Sequence, residues 1–374
     1  MKRDFLAMAG LYQYIFYIYI GILSLIITVW AGFTTFTTIK IRKKPKFKKY
    51  DPKIIVIMPC KGADLELEKG LKSILEQDYP KDRYDLITVV ESENDPALKI
   101  IKRIGVKYIL SKNICTKCSG KVRSLTTAFT KFRSYDVFVT VDSDAYCKRD
   151  WLRSLVEPLS NKKIGVTTTF PYFNPIGKAN FWTKVKLVWG FIGNGLMEND
   201  ITRFAWGGSM AFRKGFLDGK SLKIFSEALS DDITISNIAK KKGLDIFYVN
   251  KRIIYVPSKT DFREFKEWSI RQTALTFIAD KRVFSYGVAL CLINMVVFLS
   301  GIILTFEFGY IFLIFLLPFF YGIIRLMIRV ENKDRGPMLI FIYLLLNYIY
   351  LINLLAAKNK KTITWRGITY GLEQ

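Results

Sequence analysis

The stretch Val137-Phe-Val-Thr-Val-Asp142-Ser143-Asp144-Ala-Tyr146 decides the fold. Val137 to Val141 is a short β-branched apolar run, the pattern of a strand covered on both faces in a parallel sheet. Ligands of open α/β sheets bind at the carboxyl ends of such strands, which is where Asp142 and Asp144 fall. Two carboxylates there are placed to hold a divalent cation against a diphosphate, so a nucleotide-activated substrate is the first expectation. The competing reading of a bare D-x-D is a solvated turn.

Upstream, Lys53 to Met58 reads as a buried strand ended by Pro59, and Leu65 to Gln77 as a helix with Leu67, Leu71, Ile74 and Leu75 on one face. Leu86 to Val90 is a second strand, Pro96 to Ile104 a helix, Lys107 to Leu110 a third strand and Lys121 to Phe132 a helix. This β-α-β order predicts an α/β fold with a mainly parallel nucleotide-binding sheet flanked by helices. Beyond the D-x-D, Trp151 to Leu159 reads as a helix and Gly165 to Phe170 as a strand. Phe181 to Leu196 is apolar and aromatic with Lys184 and Lys186 on it, and suits either a helix at a bilayer surface or an ordinary core helix. Gly207 and Gly208 permit close backbone approach to a ligand. Asp231 and Asp232 form a second acidic pair at a helix start, where N-capping is the alternative role.

The chain of 374 residues is 51% hydrophobic with a mean hydropathy of +0.19, too apolar for an ordinary soluble enzyme. Leu11 to Phe36 carries no charge, and a bilayer core takes roughly 20 apolar residues as a helix. It is read as an anchor within residues 1–40, because its length and its Thr, Ile and Lys flank do not suit a cleaved signal peptide. Phe284 to Phe306, Gly309 to Met327 and Pro337 to Ala357 place further membrane segments within residues 281–357. Residues 45–280 are the water-facing domain and 358–374 the tail. Lys40, Arg42, Lys43, Lys44, Lys46, Lys48 and Lys49 after the first helix, with Lys281 and Arg282, predict a multi-pass protein of the cell membrane with its domain in the cytoplasm. Three full C-terminal crossings would put the tail outside, yet Lys358, Lys360, Lys361 and Arg366 argue for inside. One segment is therefore expected to be re-entrant or interfacial; the sequence does not say which.

The net charge of +25 does not imply nucleic acid: much of it flanks membrane segments, where it meets anionic lipid, and no nucleic-acid module is visible. The chain has no histidine, which excludes His bases, Ser-His-Asp triads and His-ligated zinc. Acid and base work falls to Asp, Glu, Lys, Tyr or Cys, and a metal at the D-x-D is a hard ion, Mg²⁺ or Mn²⁺. Of five cysteines, Cys115 and Cys118 form a C-x-x-C. A redox pair is one reading and coincidence the default.

Eight blocks in order, MPCKGADLELEKGLKSILEQDYP from Met58, ESENDPA from Glu91, SGK from Ser119, DSD, WGGSMAF from Trp206, SDD from Ser230, WSIRQ from Trp268 and ITWRGITY from Ile363, carry a resemblance over nearly the whole chain. It resembles membrane-bound inverting glycosyltransferases of family two with the A-type fold, and most of all the ceramide glucosyltransferase subgroup. The resemblance implies a UDP-sugar donor lined by Pro59, Lys61, Glu91 and Lys121, with Asp95 in the same motif. It implies that Asp144 is the principal metal ligand with Asp142 its partner toward the ribose or sugar, and that Asp232 is the catalytic base with Asp231 beside it. Gly207 and Gly208 line the donor site. Arg271 is the diphosphate-binding arginine of a family motif whose flanking positions here are Trp268 and Gln272. That departure argues against processive polysaccharide synthesis. Trp365, Arg366 and Tyr370 resemble the subgroup's closing motif near the donor. Inversion rests on the resemblance, since nothing else separates it from retention.

The expected activity is transfer of one hexose, most simply glucose, from UDP to a membrane-lipid hydroxyl. The rival readings are transfer to a polyprenyl phosphate, processive synthesis, and an inactive UDP-binding membrane protein.

Overall fold

The computed structural model describes residues 2–42, 45–112, 115 and 118–372. The basic residues Lys43 and Lys44 lie outside the described residues. The chain divides into two units, Met1–Lys44 with Arg282–Leu354, and Pro45–Lys281 with Leu355–Gln374.

The second unit is built on a seven-stranded sheet in the order β3-β2-β1-β4-β8-β6-β9. These are Ile54–Cys60 (β1), Tyr84–Val90 (β2), Lys107–Leu110 (β3), Val137–Val141 (β4), Ile164–Thr168 (β6), Ser209–Arg213 (β8) and Asp245–Tyr248 (β9). Only β8 runs against its neighbours, β4 and β6. The apolar runs explain why the sheet is covered on both faces. On β1, Ile54, Val56 and Met58 enter one core cluster while Ile55 and Ile57 enter the other; on β4, Val137, Val139 and Val141 separate in the same way from Phe138. With side chains alternating at a period of two, each face receives its own core, and each fully buried aliphatic contributes roughly 1.5–3 kcal/mol.

The helices Leu67–Leu75 (α2), Ala97–Ile104 (α3), Gly120–Lys131 (α4), Trp151–Val156 (α5), Asp231–Lys241 (α8) and Phe262–Ala279 (α9) surround the sheet, with Phe181–Glu198 as α6 and Gly219–Ser226 as α7. Pro59 does not end β1 but pairs with Val89. Pairing with β4 has already stopped at Ile57, so Pro59 sits where β1 keeps one neighbour. Pro158 converts the end of the expected Trp151 helix into a 3-10 turn, Glu157–Ser160. A second sheet of Tyr146–Cys147 (β5), Tyr172–Pro175 (β7) and Ile254–Ser258 (β10) lies just past the D-x-D. Cys115 and Cys118 are joined as a disulfide; Thr116 and Lys117 between them lie outside the described residues.

The chain closes on a hairpin of Thr362–Trp365 (β11) and Ile368–Gly371 (β12). Its two turn residues, Arg366 and Gly367, have φ of 48° and 77°, as tight two-residue hairpin turns require. Ile363 and Tyr370 anchor it on Ala274 and Ile270 of α9.

Among the described residues four helical segments are long and apolar enough to cross a membrane, Leu11–Ile39, Arg282–Phe308, Tyr310–Arg329 and Pro337–Lys358, all in the other unit but for the last four residues of Pro337–Lys358. The first lies in the helix Lys2–Arg42 (α1), while Arg282–Phe308 and Pro337–Lys358 are continuous helices (α10 and α12). The third is not one helix. After Gly309, at φ 109°, residues Tyr310–Leu316 are 3-10 and only Leu317–Arg329 (α11) is α-helical, with Pro318 in its first turn.

Candidate active site

The D-x-D turns immediately off the end of β4. The Asp142 N–H donates to Gly208 O (3.3 Å), and the Asp142 carbonyl accepts from Ala145 N–H (3.2 Å). Lys121, in the first turn of α4, reaches across to it. Its Nζ lies 2.7 Å from Asp142 Oδ1 and 2.9 Å from Asp231 Oδ2, joining the carboxylates of two distant segments through one ammonium. Burial opposes the charge on Lys121, but Asp142, Asp231 and Asp232 together hold its pKa above the ordinary lysine value.

Asp231 and Asp232 open α8. The capping role falls to Ser230, whose Oγ accepts from Ile233 N–H at 3.4 Å, so the aspartates occupy the first turn, where the helix dipole favours negative charge. Their environments separate them. Asp231 is 5% exposed, and although burial disfavours its charge, Lys121 and a hydrogen bond from Asp232 keep its pKa low. Burial and the charge of Asp231 push Asp232 well up. One carboxylate of the pair is thus committed as an anion while its neighbour binds a proton avidly.

Gly207 and Gly208 make this approach sterically feasible. A Cβ on Gly207 would strike the carboxylates of Asp231 and Asp232, and one on Gly208 would strike the Trp206 ring. What the glycines admit here is the chain's own acidic pair and an indole. The Gly207 carbonyl is itself fixed by Thr140 Oγ1 at 3.2 Å.

Asp144 stands apart. Its carboxyl is pushed up to about 6 by burial and then by Asp142 and Asp64, against Arg366 and Lys186, and it has no hydrogen-bond or ion-pair partner among the described residues. A mostly buried carboxyl without a partner, two residues from a second carboxylate, fits a hard cation. No group of three or more acidic or cysteine side chains among the described residues is arranged to hold one alone. That suits an ion bound by one or two carboxylates plus substrate phosphates.

Around this centre, Lys61 pairs with Glu91 at 3.1 Å, and Glu91 also takes Arg123 at 3.2 Å. Asp95 ties the loop after β1 to the start of α3, accepting from Gly62 N–H (3.0 Å) and Ala97 N–H (2.9 Å). Pro59 is half-buried at the carboxyl end of β1. Arg366, at the hairpin tip, donates to both oxygens of Asp64 (2.8 and 2.9 Å) and to the Lys61 carbonyl, and Asp64 in turn accepts from Ser143 Oγ of the D-x-D. Burial and Arg366 press the pKa of Arg271 down, while Glu267 and Asp144 oppose them. Trp268 packs edge-on to Phe173 with ring centres 5.4 Å apart. Trp365 is half-buried opposite Ile368, and Gln272 is exposed.

The chain matches the family described as glycosyl transferase family 21 over residues 15–374. It belongs to glycosyl transferase family 21. This glycosyltransferase is 31% identical over 123 residues to a ceramide glucosyltransferase of Candida albicans, covering 29% of this chain and 22% of that one. It is 28% identical over 145 residues to a ceramide glucosyltransferase of Komagataella phaffii, covering 36% and 27%. The matches thus span about a quarter of the length of these relatives. Among solved structures, a mannosyltransferase from Pyrobaculum calidifontis in complex with GDP-Man and Mn²⁺ aligns with a TM-score of 0.49 at 18% identity, over 90% of this chain and 84% of that one.

Three residues of this family 21 enzyme's site were not singled out from sequence. Asp64 lies inside the MPCKGADLEL block but is separated from both its partners in the chain. Arg123 follows the SGK by two residues, and only the spatial position of Glu91 reveals it. Lys186 is one of two lysines in an aromatic helix, and no sequence signal distinguishes it from Lys184.

Proposed function

We propose that this glycosyltransferase moves a hexose, most simply glucose, from a UDP-sugar to a membrane-lipid hydroxyl with inversion, using Mg²⁺ or Mn²⁺. The observation that supports it is the Lys121 bridge between Asp142 and Asp231. It sets the cation-binding turn and an acid–base carboxylate pair around one point at the carboxyl edge of the sheet.

Asp144 and Asp142 are the residues that would hold the metal; bound there, it neutralises charge on the diphosphate as a Lewis acid. Lys121 and Arg271 supply fixed positive charge for the departing UDP. Lys61, Glu91 and Asp95 shape the nucleoside end. In the fraction of molecules in which Asp232 is ionised, the acceptor hydroxyl oxygen attacks the anomeric carbon, its proton passes to the Asp232 carboxylate, and the bond to the diphosphate breaks with its electron pair leaving on UDP. High proton affinity at Asp232 serves that role, and the ionised Asp231 maintains it. Incubating the full-length protein in its native lipid extract with labelled UDP-glucose, UDP-galactose or UDP-N-acetylglucosamine is expected to put label from one of them into the organic phase, and EDTA to abolish it. Label appearing only in water-soluble product, or transfer indifferent to EDTA, overturns the reading.

We also propose that two of the three C-terminal segments cross fully and Tyr310–Arg329 is re-entrant, with the domain and tail both cytoplasmic. The tail hairpin shares a unit with the domain, so an even number of crossings lies between them. Of the three C-terminal segments, Tyr310–Arg329 is the one interrupted by a 3-10 stretch, and its α-helical part, α11, by itself measures about 20 Å against a hydrocarbon core of about 30 Å. Single cysteines placed at Tyr310 and at Glu331 are expected to be labelled by an impermeant reagent from the same side of sealed vesicles. Labelling from opposite sides restores a third crossing.

A further inference from the structure

Lys186 sits on α6 in a sequence otherwise dominated by apolar and aromatic residues. Its Nζ stands 4.9 Å from the centre of the Trp268 ring and 5.3 Å from that of Phe173. Among the described residues it has no carboxylate at ion-pair distance and no hydrogen bond. Burial presses its pKa down; Asp144 counters that push, Arg271 adds to it, and Glu264 counters it more weakly.

A half-buried ammonium without a counter-ion is costly unless something is meant to meet it. The two aromatic faces stabilise the charge through their quadrupoles and accept no conventional hydrogen bond from it, so all three N–H donors remain available. Arg271 is likewise without an ion-pair partner among the described residues, and Arg366 shares its guanidinium with Asp64. Lys186, Arg271 and Arg366 thus all act electrostatically with Asp144, and of the three only Arg366 has a carboxylate at ion-pair distance among the described residues.

We propose that Lys186 binds the diphosphate of the nucleotide-sugar, acting beside Arg271 as a second cation on phosphate oxygens. This rests on the donor reading above. The donor's phosphates are favoured over an anionic acceptor headgroup because Asp144 and Arg271, which act on Lys186 ahead of Glu264, are groups assigned there to the donor, and the Trp268 ring beside its Nζ lies three residues from Arg271 on the same helix.

The test is displacement of labelled UDP from the full-length protein in detergent with Mg²⁺ or Mn²⁺, using unlabelled UDP and uridine as competitors. Lys186→Met keeps the stem between the rings and removes the charge, and Lys186→Gln keeps a polar end. Both are expected to weaken UDP roughly ten- to a hundredfold and to leave uridine within about twofold, while Lys186→Arg retains most of the affinity. UDP bound as tightly by both neutral variants as by the wild type overturns the assignment, as does a defect confined to the KM of the lipid acceptor. Wild-type protein that fails to prefer UDP to uridine overturns the donor reading itself, and this inference with it.

Discussion

Asp232→Asn is expected to lower the rate of sugar transfer about a hundred- to ten-thousandfold while UDP binding stays within about threefold of wild type. The amide has the shape of the carboxyl and can still donate to Asp231, so the start of α8 keeps its arrangement. What disappears is the group that accepts the hydroxyl proton. Asp231 is a poor substitute, because Lys121 at 2.9 Å holds it as an anion of low basicity. Single-turnover transfer with saturating donor checks the prediction directly. Near-wild-type turnover instead would point to an acceptor that attacks through a phosphate oxygen, already deprotonated at neutral pH. That outcome would replace the lipid alcohol with a polyprenyl phosphate.

Gly207→Ala is expected to reduce kcat by about a hundredfold or more, since reacting groups displaced by about 1 Å forfeit that much, and to cost about 1–3 kcal/mol of stability through overpacking. The added methyl would occupy space taken by the carboxylates of Asp231 and Asp232. Neither can swing away freely: Asp231 is buried against Lys121, and Ser230 caps the helix that carries both. Gly208→Ala is an informative companion, because there the added methyl meets the Trp206 ring rather than the acidic pair. A Gly207→Ala protein with unchanged melting temperature and kcat within twofold would show that α8 shifts at little cost and that the close approach is incidental.

Strands β1, β2 and β4 were legible because they are buried on both faces, and β3, a partly exposed edge strand, by its short apolar run. Val137 to Val141 and Lys107 to Leu110 coincide with β4 and β3, and Leu86 to Val90 lost only its first two residues. Pro59 misled, because a proline usually marks the end of a central strand, and only the sheet order shows that β1 is single-sided there. The small sheet was missed: β5 has two residues, too short for any period to register, and β7 and β10 each contain a proline, which speaks against a strand. Ser209–Arg213 was hidden behind its glycines, whose obvious signal is a loop. The break after Gly309 was invisible to a reading based on apolar length, since 3-10 and α-helical turns satisfy it equally.

For the site, local pattern located the acidic clusters but not their partners. The bridge from Lys121 to Asp142 and Asp231 joins residues far apart in the chain, and no periodicity encodes such a contact. The ordered blocks of the family resemblance nominated those residues together. Asp64, within one of those blocks, received no role because its two partners, Ser143 and Arg366, come from the D-x-D and the last hairpin.

That hairpin has a consequence for biogenesis. The loop bearing Lys61 and Asp64 emerges from the ribosome early, whereas Arg366 follows the final apolar helix, so this contact forms only after every membrane segment has been translated. A nascent chain stalled before Arg366 lacks the clasp, which ties maturation of the pocket to translation of the hairpin.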